Sequence, residues 1–306
     1  MVKQISTYIT EKLKLNRDSG IKYNYHPEDT DELRSLIKKL LEERGPDADL
    51  NDIDVSGITD MRELFYRLDP HNIDISEWDV SNVENMKYMF FGCEKFNSDL
   101  SKWDVSNVID FMSTFAACFE FNCDLSKWNV SNAVIMHNMF HRCKKFNSDL
   151  SKWDVSNVTD ISQMFDECEN FNPDLSKWNV SNVTNMNYMF YNCTKFNSDL
   201  SKWDVSNVEN MECMFYKCTN FNSDLSSWDV SSVENMKDMF YSCKKFNSDL
   251  SKWNVSNVIY MQYMFLACDK FDCDLSSWNV SNVKNMYNML SECKSLKKFP
   301  NWYKYK

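Results

Sequence analysis

A tryptophan recurs at equal steps of 25 residues through most of this 306-residue chain. The series has no insertion and comprises Trp78, Trp103, Trp128, Trp153, Trp178, Trp203, Trp228, Trp253 and Trp278. The residues between the tryptophans repeat as well, so that the run from Leu100 to Val108 has a close copy in almost every period. A fixed period of this length is typical of repeat proteins, in which each unit buries its apolar face against its neighbours. The sequence therefore predicts stacked coils of one kind.

Two apolar periodicities alternate within each period. Leu100, Trp103 and Val105 lie among polar residues in the alternation typical of a short strand with one buried face. From Val83 to Cys93 the apolar residues are spaced by three and four, which favours a helix, and Ser81 is a suitable N-cap. Strands stack about 4.8 Å apart, whereas helices pack about 8–10 Å apart. The sequence predicts an α/β solenoid, a curved right-handed coil with one short strand and one helix in each repeat, strands inside and helices outside.

The ends of the chain depart from the repeat and are predicted to be caps. Residues 1–49 are predicted to be a helical N-terminal cap with two apolar stripes, formed by Ile5, Ile9 and Leu13 and by Leu33, Leu36, Ile37, Leu40 and Leu41. The solenoid of about ten coils is predicted to span residues 50–295, beginning with a degenerate coil. Residues 296–306 are predicted to form a C-terminal cap and a basic tail.

The cysteines follow the same period as the tryptophans. Nine of the twelve occupy one register, namely Cys93, Cys118, Cys143, Cys168, Cys193, Cys218, Cys243, Cys268 and Cys293. A cysteine at a repeated apolar position behaves as a small hydrophobic residue. We expect free core thiols rather than disulfides, consistent with a reducing compartment.

The tryptophan column has two interpretations. Because Trp103 is in phase with Leu100 and Val105, we expect the indoles to lie in the core. The alternative is an exposed platform on which sugars or bases stack.

The repeated motif resembles that of a known family. Residues 196–218 read Phe-Asn-Ser-Asp-Leu-Ser-Lys-Trp-Asp-Val-Ser-Asn-Val, followed after two residues by Met-x-x-Met-Phe-x-x-Cys. This pattern, over about residues 72–295, resembles the BspA-type leucine-rich-repeat proteins, bacterial surface-protein repeats also found in mycoplasma lipoproteins. The resemblance implies a leucine-rich-repeat-like solenoid, a role in adhesion or protein binding, and no catalytic residues.

Charge and hydropathy narrow the possible partners and location. The net charge of −11 disfavours nonspecific binding to nucleic acid. No apolar run approaches the roughly 20 residues of a membrane span, and the N-terminus lacks the apolar core of a secretion signal. We expect a cytoplasmic protein, whereas the family resemblance implies the cell surface if a leader was removed.

Signatures of catalysis and of cofactor binding are missing from the sequence. It contains no Gly-rich phosphate loop, no Cys-x-x-Cys zinc pair and no serine elbow flanked by glycines. His137 and His141 are four apart on a predicted helix, a spacing that can chelate a metal, but no third ligand is evident and a solvated pair is the alternative. We expect no cofactor and no enzymatic activity.

The predicted outer face is where the coils differ from one another, and it holds three candidate contact groups. The first group is Ile109, Met112, Phe119, Val134 and Ile135. The second is an aromatic stripe of Tyr188, Tyr191, Tyr216 and Tyr241. The third is Ile259, Tyr260, Tyr263 and Leu266. Apolar and tyrosine-rich surfaces of this kind are favoured at protein interfaces, although part of each group could pack between helices.

The predicted inner face carries two polar rows. One is formed by Lys102, Lys127, Lys152, Lys177, Lys202 and Lys252, and the other by Asp104, Asn129, Asp154, Asn179, Asp204 and Asp229. Cross-strand pairing of lysine with aspartate would make this a self-satisfied polar surface. The alternative is a regular lattice that meets a repeating ligand.

Three functions remain open on the sequence alone. The leading hypothesis is a noncatalytic scaffold that binds another protein. The second is an acidic mimic of nucleic acid that inhibits a DNA-binding enzyme, and the third is an adhesin for a repetitive glycan or a host surface protein. The sequence leaves the oligomeric state open.

Overall fold

A computed structural model describes residues 23–304, in which one α-helix, α1, spans Thr30–Arg44. Asp29 caps its N-terminus, because the side chain accepts a hydrogen bond of 2.9 Å from the backbone N–H of Glu32. Gly45 follows the last helical residue with φ 88, a conformation that favours glycine and ends the helix. The buried face of α1 consists of Leu33, Ile37 and Leu40.

Helix α1 is built on the second of the two apolar stripes predicted for the N-terminal region. Leu36 and Leu41 of that stripe are partly buried and pack against the same core. The first stripe, Ile5, Ile9 and Leu13, lies outside the described residues. No conclusion follows for that stripe.

The prediction of a helix in every coil is wrong, since α1 is the one helix found between residues 23 and 304. The segment 83–93 is instead a run of tight turns, each closed by a backbone hydrogen bond to the third preceding residue. Met89 donates to the Met86 carbonyl (3.1 Å) and Cys93 donates to the Phe90 carbonyl (3.0 Å). Turns of this kind return an apolar residue to the core every three or four positions, as a helix does.

Left-handed backbone conformations prevent these turns from joining into a helix. Tyr88 has φ 56 and Gly92 has φ 73, and the equivalent residues of the other coils are also positive. An α-helix requires φ near −63° at every position. Two positive values per coil therefore break the chain into separate turns.

The predicted strand over residues 100–105 is also wrong, because no strand is present in the described part of the chain. Trp103 donates to the Leu100 carbonyl (3.1 Å) and Val108 donates to the Val105 carbonyl (3.0 Å), so each apolar residue begins or ends a turn. The apolar alternation of this stretch marks turn corners rather than a pleated strand.

Neighbouring coils are joined along a different segment, residues 84–92 and its equivalents at steps of 25, here called the stacking segment. The second residue of each stacking segment forms isolated parallel bridges, as between Asn85 and Asp110. At each junction, backbone N–H groups of one coil donate to carbonyls of the next, for example Met86 to Asp110 and Tyr88 to Met112, both 2.9 Å. Each coil thus depends on its neighbours for its backbone hydrogen bonds. The leucine-rich-repeat class, the curvature and the right-handed winding stay predictions.

Aromatic columns fill the space inside the coils. The Trp103 indole is 4% exposed, donates to the Ile75 carbonyl (3.0 Å) and stacks on Trp78 with centroids 6.3 Å apart. Phenylalanines form further columns, as where Phe90 stacks on Phe115 at 5.5 Å. The prediction that the tryptophans lie in the core is confirmed. An exposed platform for sugars or bases is excluded.

The cysteine column is equally regular and contains no disulfide among the described residues. The Cys118 thiol donates to the Phe90 carbonyl at 3.0 Å, and its equivalents repeat this contact. Burial raises the pKa of Cys118 well above its ordinary value and that of Cys93 to about 12. The prediction of free core thiols is confirmed.

We expect the core thiols of the folded protein to resist alkylation. At about pH 8, a thiol with a pKa raised by three units carries about a thousandfold less thiolate than a free cysteine. Cys273, which is half-buried and has its pKa raised by burial to about 11, should react before Cys118. Mass spectrometry after iodoacetamide treatment measures the order, with a sample in concentrated guanidinium chloride as control. Equal rates for the two thiols in the folded protein would contradict the buried column.

The last described residues continue the tryptophan column. Trp302 stacks on Trp278 with centroids 6.4 Å apart and donates to the Leu275 carbonyl at 3.0 Å. Tyr303 is buried beside it, whereas Phe299 is 37% exposed. The region predicted to be a C-terminal cap therefore repeats the core contact of the coils before it.

Candidate protein-binding surface

The contact groups predicted from the sequence lie mainly on the stacking segment, which the sequence wrongly indicated to be helical. In most coils a methionine and a phenylalanine of this segment point inward, as Met86 and Phe90 do with no exposed area. The residues between them form the surface. That surface is consequently made of stacked turns, and its columns run from coil to coil at steps of 25 residues.

The first predicted group is only partly brought together. Val134 donates its backbone N–H to the Ile109 carbonyl (3.0 Å), so these two residues are direct neighbours in one column. Ile135 is bridged to Asp110 and is half-buried. Ile109 is 46% exposed. Met112 lies further along the stacking segment, and Phe119 follows that segment altogether.

The aromatic stripe is a continuous stack. Tyr216 lies between Tyr191 and Tyr241, with ring centroids 4.5 and 4.4 Å apart and near-parallel planes. Tyr188 is tilted against Tyr191 at 5.6 Å, and the Lys217 ammonium lies 5.4 Å from the Tyr216 centroid. All four tyrosines are half-buried. Stacking fixes the ring positions before any partner arrives.

Burial also determines the protonation of these tyrosines. Desolvation raises the pKa of Tyr188, and the neighbouring Cys213 and Glu212 add to this effect. Desolvation likewise raises the pKa of Tyr191 and Tyr216. The hydroxyls of Tyr188, Tyr191 and Tyr216 are therefore neutral at physiological pH and can act as hydrogen-bond donors, as that of Tyr188 does toward Glu212.

The third predicted group continues the stripe. Leu266 occupies the register of Tyr241 in the next coil, where its carbonyl accepts from Ser242 (2.7 Å). Tyr263 meets Tyr287 edge-on at 5.5 Å. Ile259 and Tyr260 lie at the other end of the stacking segment, and Tyr260 is 43% exposed. We call the continuous part the tyrosine surface, formed by Tyr188, Tyr191, Tyr216, Tyr241, Tyr263 and Leu266.

The two histidines considered as a metal pair lie in the same coil as Val134 and Ile135 of the first group. His137 Nδ1 lies 2.6 Å from Ser162 Oγ, and His141 Nδ1 lies 3.1 Å from Asp166 Oδ2. Burial raises the pKa of Asp166. The two histidines do not share a helix, since none is present there, and each is engaged by the next coil. Over residues 23–304, no group of three metal-ligating side chains is found.

The predicted inner polar rows are exposed, but they line turns rather than a strand face. Asp104 accepts from the backbone N–H of Ser106 (3.0 Å), and Asn129 accepts from that of Ser131 (3.2 Å). Aspartate and asparagine alternate in this row because the turn uses a single side-chain oxygen, which both supply. The same turn role applies to Asp154 and Asp204.

The expected pairing between the lysine and aspartate rows is not observed. Lys102 pairs instead with Glu77 of the preceding coil, at 2.7 Å and on an exposed site. In the described part of the chain, no ion pair involves Lys127, Lys152 or Lys202. The aspartates and asparagines thus stabilise turns by accepting backbone hydrogen bonds, and these three lysines remain solvated.

Sequence reasoning missed an aspartate present in every coil. Asp99 accepts from the Ser101 backbone N–H (2.9 Å), and hydrogen bonds from Ser101 hold the pKa of Asp99 below its ordinary value. The column comprises Asp49, Asp74, Asp99, Asp124, Asp149, Asp174, Asp199, Asp224, Asp249 and Asp274. Its regularity was visible in the sequence, and its role is to cap a turn.

A second aromatic cluster was also missed. Tyr66 stacks on Phe91 at 5.2 Å, Tyr88 meets Phe91 edge-on at 5.7 Å, and the Arg67 guanidinium lies 5.2 Å from the Tyr66 centroid. Tyr66 and Phe91 share the register of the tyrosine stripe. Alignment of the coils by register would have revealed the cluster.

Comparison with known families finds a match to the family described as "Mycoplasma protein of unknown function, DUF285", at residues 35–152, 124–225 and 197–303. A search of curated proteins finds no match. Within the described residues, no helix has the length and apolar character needed to cross a membrane.

Proposed function

The chain belongs to the DUF285 family, which matches it in three overlapping segments, and from this premise we propose that it is a noncatalytic scaffold that binds another protein. The observation that carries the proposal is the tyrosine surface, in which Tyr191, Tyr216 and Tyr241 form one stack. Tyrosine is enriched at protein interfaces because it offers a large apolar ring and a polar hydroxyl.

Preorganisation supports this assignment of the surface. Ordering a side chain on binding costs about 0.5–1.5 kcal/mol, and rings already held against each other lose less freedom. Tyr188 is held as well, since its hydroxyl lies 3.4 Å from Glu212 Oε1. A partner would therefore meet an ordered aromatic face.

The charges around the stack favour a protein partner of mixed polarity. Lys237 pairs with Glu212 at 2.8 Å beside the tyrosines, and Lys217 lies against Tyr216. Neighbouring charges of both signs surround an apolar centre, as in the polar rim of a protein interface. A ligand with charge of a single sign would be attracted by some of these charges and repelled by the others.

The finer assignment to BspA-type leucine-rich repeats is part of the same proposal. It is supported by the motif Phe-Asn-Ser-Asp-Leu-Ser-Lys-Trp, which recurs at Phe96, Phe146, Phe196 and Phe246. Because the described coils lack the strand and helix of a leucine-rich repeat, this assignment rests on the sequence motif alone.

We expect the variant Tyr191→Ala/Tyr216→Ala/Tyr241→Ala to lose capture of the partner. Buried aromatic anchors commonly contribute 2 kcal/mol or more each, so binding should weaken by roughly a hundredfold or more. The full chain and the variant are immobilised, and bound proteins from the source cell are compared by quantitative mass spectrometry. The partner is then purified and its affinity measured.

A matched control replaces three exposed lysines, as in Lys127→Ala/Lys152→Ala/Lys202→Ala, and should retain the partner. Circular dichroism and tryptophan fluorescence check that both variants keep the stack. Capture that survives the tyrosine changes but is lost with the lysine changes would contradict the proposed surface.

A further inference from the structure

The backbone hydrogen bonds between coils are strongly directional. At the last junction the N–H groups of one coil donate to carbonyls of the next, in the pairs Met261–Asn285, Tyr263–Tyr287, Phe265–Met289 and Ala267–Ser291, at 2.9–3.0 Å. One bond runs the other way, from Lys284 N–H to the Ile259 carbonyl at 2.9 Å. In an α-helix the N–H groups point toward the N-terminus, whereas four of the five backbone N–H groups that bond across this junction point toward the C-terminal end of the stack. Aligned peptide dipoles make that end of the stack positive.

The N-terminal end of the stack shows the complementary arrangement. There the carbonyls of the first stacking segment point outward, and helix α1 supplies donors to them. Thr30 Oγ donates to the Asp60 carbonyl, and Arg34 Nη2 donates to the Tyr66 carbonyl at 3.1 Å. A hydroxyl and a cation thus cover the acceptor end.

At the C-terminal end of the described residues, the equivalent donors lack such a cover. The equivalent outward N–H groups belong to Met286, Asn288, Leu290 and Glu292, and that of Leu290 reaches the Tyr303 hydroxyl at 3.4 Å. Between residues 23 and 304, no acceptor is found for the N–H groups of Met286, Asn288 and Glu292. Asn288 has φ 52, and the intervening Tyr287 N–H donates to Asn285 Oδ1 at 3.0 Å, so Met286 and Asn288 present alternate N–H groups to the outside.

A cleft of 420 Å³ opens over these donors. Its lining includes Met286 and Asn288, the basic residues Lys284 and Lys304, and the aromatic residues Trp302 and Tyr303. The register of Lys284 holds Glu, Ile, Val or Thr in the other coils from Glu84 onward, so a cation stands only at this open end. No described residue forms an ion pair with either lysine.

We propose that this cleft binds a phosphate group, held by the backbone N–H groups of Met286 and Asn288 and by the ammonium groups of Lys284 and Lys304. Backbone N–H groups and lysines are both strong donors to phosphate oxygens. A phosphate presents oxygens in several directions, which suits a cleft lined by two backbone N–H donors and two lysines. The free ion and a phosphate ester share this chemistry, and the aromatic walls would contact the organic part of an ester.

The test uses the full chain labelled with ¹⁵N and titrated with inorganic phosphate at constant ionic strength. We expect saturable shifts of the Met286 and Asn288 amide signals that sodium chloride does not reproduce. The variant Lys284→Gln/Lys304→Gln should bind about tenfold more weakly, since two charge-assisted contacts are lost. The control Lys127→Gln/Lys152→Gln removes two solvated lysines of the same charge elsewhere and should bind as the parent does.

A parallel titration with phenyl phosphate distinguishes the two sources of the phosphate. Tighter binding of phenyl phosphate would identify an ester as the ligand, and equal binding would identify the free ion. The proposal is overturned if the Met286 and Asn288 signals do not respond to either probe, or if the Lys284/Lys304 variant binds as tightly as the Lys127/Lys152 control. Partner capture by the tyrosine surface is measured separately, so the two results are independent.

Discussion

Replacing Trp178 with alanine should lower the free energy of unfolding by about 3–5 kcal/mol. The indole is 3% exposed, donates to the Leu150 carbonyl at 2.9 Å and stacks on Trp203 with centroids 6.4 Å apart. The change leaves a cavity in the middle of the stack and a buried carbonyl without its donor. Urea unfolding followed by circular dichroism measures the loss.

Two companion variants separate the causes. Trp178→Phe keeps an aromatic ring but removes the N–H donor, and should cost about 1–3 kcal/mol. Trp302→Ala removes a half-buried indole at the end of the column and should cost about 1–2 kcal/mol. If Trp178→Ala lowered the free energy of unfolding by less than Trp302→Ala does, the result would be incompatible with a continuous buried column.

The second large effect is expected in alkali, where the stack should unfold cooperatively. Eight thiols are fully buried, namely Cys93, Cys118, Cys143, Cys168, Cys193, Cys218, Cys243 and Cys268. Desolvation raises the pKa of each in the folded state, to about 12 at Cys93, from an ordinary value near 9. Above about pH 9 the unfolded chain loses these protons while the folded chain retains them. The folded state then binds more protons, so its stability is intact below that pH and falls as the pH rises.

The expected slope is steep because the thiols act together. Each contributes about 1.4 kcal/mol per pH unit, so eight contribute about 11 kcal/mol per unit across the window between the unfolded and folded pKa values. A typical total stability of about 5–15 kcal/mol would be exhausted within one to two units. Urea unfolding at a series of pH values measures the slope directly.

The matched control is the variant Cys168→Ala/Cys193→Ala/Cys218→Ala. Its slope should be smaller by about 4 kcal/mol per pH unit, whereas the titration of lysines and tyrosines is the same in both chains. An unchanged slope in the variant would show that the buried thiols do not set the alkaline limit.

The period, the core and the oxidation state of the cysteines could all be predicted from the sequence. Trp103, Cys118 and their equivalents recur in one phase, and a residue repeated in every coil can only contact its own copies or the core between them. Helix α1 was also predictable, because its apolar stripe is preceded by Asp29 and followed by Gly45.

Secondary structure within the coil could not be predicted from spacing alone. Turns closed every three residues and an α-helix place apolar side chains at nearly the same intervals, as from Val83 to Cys93. A signal was nevertheless present at the two registers with positive φ. From Glu63 to Asn288 and from Arg67 to Glu292 these registers contain no β-branched residue, whereas the register of Ile109 contains several.

The residues of the candidate surface could be predicted from the sequence, but which of them lie next to one another could be predicted only in part. Tyr191, Tyr216 and Tyr241 stand one coil apart, so their stacking follows from the period. The separation of Phe119 from Ile109 does not, because a helix would have placed both on one face. The outward backbone N–H groups of Met286 and Asn288 could not be predicted either, because the pattern of side chains does not indicate the direction in which backbone N–H groups point.

Each coil contacts only the neighbouring coils, at the same positions in every repeat. The number of coils can therefore change without disturbing the contacts between those that remain. Side-chain bonds between coils span 23 to 28 residues, as in Leu125 with Ser148 and Trp153 with Leu125, so each coil meets only adjacent copies. Excision of residues 149–173 would place Asp174 directly after Ser148 and leave every column in phase. Duplication of a coil would do the same. Relatives with fewer or more coils could therefore arise by recombination between copies and retain the same interior, differing chiefly in how far apart their two ends stand.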